Sequence, residues 1–506
     1  MGNTGLPSKD CHLCRRRRVK CDLARPGCLR CKKIGNDCPG YRDLGRLGSN
    51  FRILTLDSYP RQKRKRCQNQ NAEEEPDQHL LPLTRAAAAA AAAAQKSQLA
   101  LPLSAPTEPW ETHAKALVIS QFTILTLRGA SVYASFDFLP PLLERADPES
   151  TLYQVCNAIS SAYFANLARS DSIGLRHRKI YGRALQSLAT DVSDVEKQRQ
   201  DSTLVAVWLL CLYELVVGTT SQESQLEPRG WNTHGNAMIG LLRLRGQNQF
   251  QTKTGCQLFQ IAYPIIQIQA MQMGRTPPPE AVAWLHAMQT SPTAKKMLFL
   301  PAFLYSDLAC RICSTIRDLI DQGSHEKMLS SINDIIMACR NLESSIDAVI
   351  AQSPASHSQP GPLDDLATGQ SVQWLMTQHA ANYLAACLFQ VYQRSVDLLS
   401  EALQGNLSPK NHDVLLCLRE SSIERLKHLA DRILVSLPLL MPVKAASAGK
   451  QVPNLTTWGH ALKLLWPLRL IASSANVHGS QRVAARQGLL RMGYEAGIMQ
   501  AVGTYY

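Results

Sequence analysis

Cys11-His-Leu-Cys14-Arg-Arg-Arg-Arg-Val-Lys-Cys21 and, six residues later, Cys28-Leu-Arg-Cys31-Lys-Lys-Ile-Gly-Asn-Asp-Cys38 are two copies of one spacing, C-x2-C-x6-C. Six of the 15 cysteines of the 506-residue chain fall in this segment. The other nine, from Cys67 to Cys417, are scattered, mostly through apolar helical patterns where a thiol serves as a small core residue. The first ten residues are polar and lack an apolar leader segment. A reducing interior is therefore the expected compartment, and there clustered cysteines point to metal rather than disulfides.

Zinc takes four thiolates or imidazoles in a tetrahedron, and C-x2-C lets two sulfurs from one turn reach one ion. Six terminal sulfurs cannot fill the eight positions of two tetrahedra, but two bridging sulfurs close the count. The symmetric spacing places those bridges at equivalent points of the two halves. A redox or disulfide cluster is the competing reading. Metal storage would leave the interleaved arginines without a use.

Charge follows the cysteines. The net charge is +14, yet residues 1–66 hold 18 Lys/Arg against 5 Asp/Glu, and the remaining 440 residues hold 36 against 35. A globally basic protein is excluded: a short basic head precedes a neutral body, and such a head seeks a polyanion. With 45% apolar and 19% charged residues, the body can bury a core. The longest apolar run, Leu204 to Gly218, is broken by Glu214 and falls short of the roughly 20 residues a membrane span needs.

Residues 46–110 read as a flexible linker, with a basic run at Arg61–Arg66, an acidic patch at Glu73–Asp77 and nine alanines from Ala86 to Ala94. The basic run suits nuclear import, a non-specific DNA tail or a solvated linker. From residue 111 to 506 the pattern is helical. Leu152, Val155, Ile159, Tyr163 and Leu167 recur at three- and four-residue steps, as do Tyr181, Leu185, Leu188 and Val192. Leu204–Val217 is apolar nearly all round and predicts a central buried helix. Further helices are expected over Gln257–Met271, Met297–Gln322, Lys327–Val349, Val372–Leu403, Asp413–Ser436 and His460–Ser473. Breaks are expected at Thr276–Glu280, Ser353–Leu363 and Gly405–Asn411. The fold class is thus mainly α: a small two-zinc, six-cysteine module at residues 1–45, the linker, and a large all-helical domain.

Cys11 to Asp22, then Arg25-Pro26-Gly27-Cys28 and the closing Cys38-Pro39-Gly40-Tyr41, resemble the fungal binuclear zinc cluster DNA-binding domain. The resemblance implies two structural zinc ions held by Cys11, Cys14, Cys21, Cys28, Cys31 and Cys38, with Cys11 and Cys28 as the bridges. It implies double-stranded DNA as the partner, read mostly at CGG-like triplets. Arginine forms a bidentate pair with guanine O6 and N7 in the major groove. By the resemblance Arg17 and Arg18 are the base readers, while Arg15, Arg16 and Lys20 meet phosphate. Lys32 and Lys33 occupy the matching places of the second half and are read as backbone contacts.

The body resembles the fungal-specific transcription factor domain. The similarity is carried by Tyr181–Leu188, Asp201–Leu204 leading into Leu209–Glu214, Trp231-Asn-Thr-His234-Gly235, and Leu241–Gly246. It implies a regulatory or dimerising body open to a small-molecule effector or co-regulator, with no shared catalytic site. No sustained heptad follows the head, so the expected homodimer has no coiled coil to specify it. His234 and the Cys310/Cys313 pair are read as structural, and Glu214 as a carboxylate paired with an internal arginine. The expected whole is a nuclear, zinc-dependent, sequence-specific regulator at RNA polymerase II promoters, not an enzyme, and with no membrane partner. The competing reading is a co-regulator that acts mainly by protein contacts and binds DNA without sequence preference.

Overall fold

Helix-favouring periodicity dominates the body, and the computed structural model of the chain is helical accordingly. It describes residues 11, 13–14, 17, 19, 21–22, 24, 27–35 and 38, then 113–122, 136–168, 171–218, 229–294, 300–352, 369–405, 407–441 and 458–502. The expected linker, with Arg61–Arg66, Glu73–Asp77 and the alanine run, lies outside the described residues, as does the expected break at Ser353–Leu363. The chain divides into two units, Met1–Arg52 and Ile53–Tyr506.

In the first unit the α-helix is short, α1 (Leu29–Lys33). The second unit carries α2 (Ala114–Phe122), α3 (Leu139–Glu144), α4 (Thr151–Ala168), α5 (Asp171–Ser193), α6 (Asp201–Val217) and α7 (Arg229–Arg245). These are followed by α8 (Lys253–Met273), α9 (Ala281–Thr290), α10 (Leu300–Gln322), α11 (His325–Ala351), α12 (Gly369–Ala402), α13 (Pro409–Leu440), α14 (Trp458–Ser473) and α15 (Gly479–Ala496). No strand occurs among the described residues.

Two helices organise the body. α6 is buried on every side, from Thr203 through Tyr213 and again at Leu215 and Val216, as its unbroken apolar run requires. It packs on α4, α7 and α8, while α12 packs on α10, α11, α13 and α14. The core is continuous through both sets. Helix starts follow local chemistry: the Thr252 and Ser408 hydroxyls accept from the Gly255 and Asn411 amides at 3.0 and 3.3 Å. The Ser408 cap, with Pro409 at the first helical position, starts α13 inside the break expected at Gly405–Asn411.

Buried carboxylates meet tyrosines on neighbouring helices. Tyr263 donates to Asp307 at 2.7 Å and Tyr392 to Glu343 at 2.6 Å, with Arg311 and Arg425 completing the two sites. The arginine expected to pair with Glu214 is not among the described side chains. Among the described residues its partners are the Tyr181 hydroxyl, which donates at 2.6 Å, and His234 Nε2 at 3.7 Å. α7 brings His234 there from its second turn, with Tyr181 stacked on Tyr213 at 4.2 Å. Cys310 and Cys313 are fully buried in α10, with burial pushing both thiols up, and Cys310 donates to the Gln267 carbonyl at 3.4 Å. They pack as core residues.

Candidate metal centre

Among the described residues of the head, the buried ones are cysteines: Cys11, Cys14, Cys21, Cys28 and Cys31, with Leu13, Val19 and Cys38 packed against them. So small a set of carbon side chains cannot hold a fold by hydrophobic burial. The sulfurs form two groups of four, Cys11/Cys14/Cys21/Cys28 and Cys11/Cys28/Cys31/Cys38, each with all its ligand atoms within 4.8 Å of one another. Cys11 and Cys28 belong to both groups. They hold equivalent places in the two sequence repeats, as bridging sulfurs would.

The separations distinguish metal from disulfide. Cys11 Sγ lies 3.8 Å from Cys28 Sγ and 3.6 Å from Cys31 Sγ, and Cys14 Sγ lies 3.6 Å from Cys28 Sγ. A disulfide needs about 2.05 Å. Tetrahedral zinc with Zn–S bonds of about 2.3 Å spaces its sulfurs by about 3.8 Å, so the donor set fits two four-sulfur ions. Burial, then the neighbouring Cys11 thiol, pushes the Cys14 thiol up to about 12; burial raises Cys28 and Cys31 as well. Thiols packed in this way give up their protons only to a cation.

Local structure repeats with the sequence. The Cys14 amide donates to Cys11 Sγ at 3.4 Å, and the Cys31 amide donates to Cys28 Sγ at 3.2 Å. The first sulfur of each half thus caps the turn that carries the second. That turn continues through Arg17, whose amide donates to the Leu13 carbonyl at 3.0 Å. In the connector, a Cβ on Gly27 would stand 3.1 Å from Cys38 Cβ, so the close approach of the connector to the end of the second half favours glycine.

Of the expected DNA-contacting residues, Arg17 is described, and it is exposed on this turn. Arg15, Arg16, Arg18 and Lys20 lie outside the described residues. Lys32 and Lys33 are exposed in the last turn of α1. Sequence reasoning passed over Arg30, which is also exposed; overlaying the repeats places it where the first half has the partly buried Leu13. The same overlay sets Ile34 and Gly35 opposite Arg17 and Arg18, so the arginine pair belongs to the first half alone.

The head thus joins a two-centre sulfur cluster to exposed basic side chains, in a unit distinct from the helical body. Residues 9–46 match the fungal Zn(2)-Cys(6) binuclear cluster domain, and residues 123–504 match the fungal specific transcription factor domain. The second match spans most of the chain, which therefore belongs to the fungal specific transcription factor family. Its head binds two zinc ions, and they are structural.

White-opaque regulator 2 of Candida albicans is 46% identical over 37 residues, 7% of this chain and 8% of the relative. The phomenoic acid biosynthesis cluster-specific transcriptional regulator of Leptosphaeria maculans is 50% identical over 36 residues, 7% of each chain. The chain thus matches less than a tenth of the length of these two relatives. No solved structure matches. The matched families are transcription factor domains rather than enzymes, and no described helix is long and apolar enough to cross a membrane.

Proposed function

We propose that this chain is a nuclear, sequence-specific regulator of RNA polymerase II promoters whose head reads CGG-like triplets. The zinc ligands are Cys11, Cys14, Cys21, Cys28, Cys31 and Cys38, with Cys11 and Cys28 shared between the ions. Arg17 and Arg18 read base edges, and Arg15, Arg16 and Lys20 hold phosphate. The observation that carries this reading is the pair of four-sulfur groups with two members in common, on a turn that continues into exposed Arg17. Two zinc ions and six thiolates leave a net −2 that part of the basic run offsets; the rest is available to DNA. Residues 1–45 are the module, 46–110 the linker and 111–506 the regulatory body, which dimerises and answers an effector.

Selection from random duplexes by the zinc-loaded full-length chain tests this. A recovered CGG-type triplet is the expected outcome. Strong binding without any motif would instead favour a co-regulator that grips DNA by charge and acts through protein contacts.

A further inference from the structure

The helical body contains a cavity of about 180 Å³ between α2, α6, α7, α8, α10, α12 and α14. Voids in well-packed cores rarely exceed a water molecule, and an apolar cavity near 150 Å³ already admits benzene. Its wall is aromatic, with Phe136, Trp208, Trp231, Phe303, Tyr383 and Trp466. Helical periodicity builds it: Trp208, Leu212 and Leu215 form one stripe of α6, and Gln260, Pro264 and Ile268 form one stripe of α8.

At the α12–α14 side the lining turns polar and donor-rich. His379 and Tyr383 stand four residues apart on α12, and Lys463 and Trp466 three apart on α14. The Trp466 ring is 6% exposed, and its Nε1–H, a donor only, has no acceptor. Lys463 is half-buried as a residue, yet protein crowds its ammonium, and burial lowers it to about 8. No carboxylate is among the described lining residues. Such an end suits an anion that accepts hydrogen bonds.

We propose that this cavity binds a small aromatic carboxylic acid, its ring between the aromatic walls and its carboxylate on Lys463, His379 and the Trp466 Nε1–H. The inference rests on the regulatory reading of the body and gives its effector a chemical class. Because binding is measured directly, its failure would leave the DNA-reading proposal standing.

Isothermal titration of the zinc-loaded full-length chain with benzoate and 2-naphthoate, each against its neutral amide, tests the assignment. The acid is expected to bind saturably, and at least about tenfold more tightly than the amide, as a charge-assisted hydrogen bond implies. Lys463→Met is expected to erase that preference, and Ala302→Leu, which fills the cavity, to remove binding of both. Far-UV circular dichroism establishes that each variant is folded. No saturable heat with either acid, equal affinity for acid and amide, or undiminished acid binding by folded Lys463→Met would each overturn the proposal; the acid–amide contrast needs no variant.

Discussion

Arg17 is held exposed by a turn whose first hydrogen-bond acceptor is a sulfur, so its position depends on the cluster rather than on helix propensity. The roles assigned to the basic run separate by measurement. Arg18→Ala is expected to relax preference at one base pair by about 1–3 kcal/mol, read as a flattened column in a selected motif. Lys20→Ala is expected to weaken all sequences alike and to shallow the salt dependence by about one unit of slope. Identical behaviour of the two variants would refute the division of labour. Among the cysteines, Cys28 serves both four-sulfur groups and Cys38 only one. Native mass spectrometry should therefore find Cys28→Ala stripped of both ions, with Cys38→Ala keeping about one.

Elements in the body are joined by polar side chains set into apolar faces. The Tyr181 hydroxyl of α5 ties Glu214 of α6 at 2.6 Å, and His234 of α7 closes the group at 3.3 Å from the same hydroxyl. Tyr181→Phe keeps the ring and its stack on Tyr213 but removes the donor. The Glu214 side chain retains 19% of its exposure, so water covers part of the loss. The expected cost is about 1 kcal/mol, seen as a lower melting temperature of the full chain. A larger fall would mean that the carboxylate has no access to water. The DNA motif selected by this variant should not change.

At the scale of the whole molecule, the two units are stabilised by different means. The head has a core of sulfur and the body a core of carbon, so they should respond separately to a chelator. Zinc removal is expected to abolish specific DNA binding while the far-UV helical signal persists, since α1 has only five residues and, among the described residues, the long helices all belong to the body. Collapse of body helicity on chelation would show that the cluster supports more than its own module.

Spacing and periodicity by themselves determined the head and the class of the body. C-x2-C repeated at a fixed interval has few chemical uses, and apolar steps of three and four residues predict α4, α5, α6, α8 and α10 to α14 without reference to their partners. Both signals are local, carried by residues within one turn or one helix. Tertiary structure alone decided the rest. α15 has almost no amphipathic pattern; it packs on α13 and α14, where Leu437 and Leu468 stand within 3.0 Å of the place a Cβ on Gly488 would take. The pairing of Glu214 with a tyrosine and the cavity among the helices of the body arise where distant segments meet. Such meetings depend on packing across the chain, which no local pattern encodes.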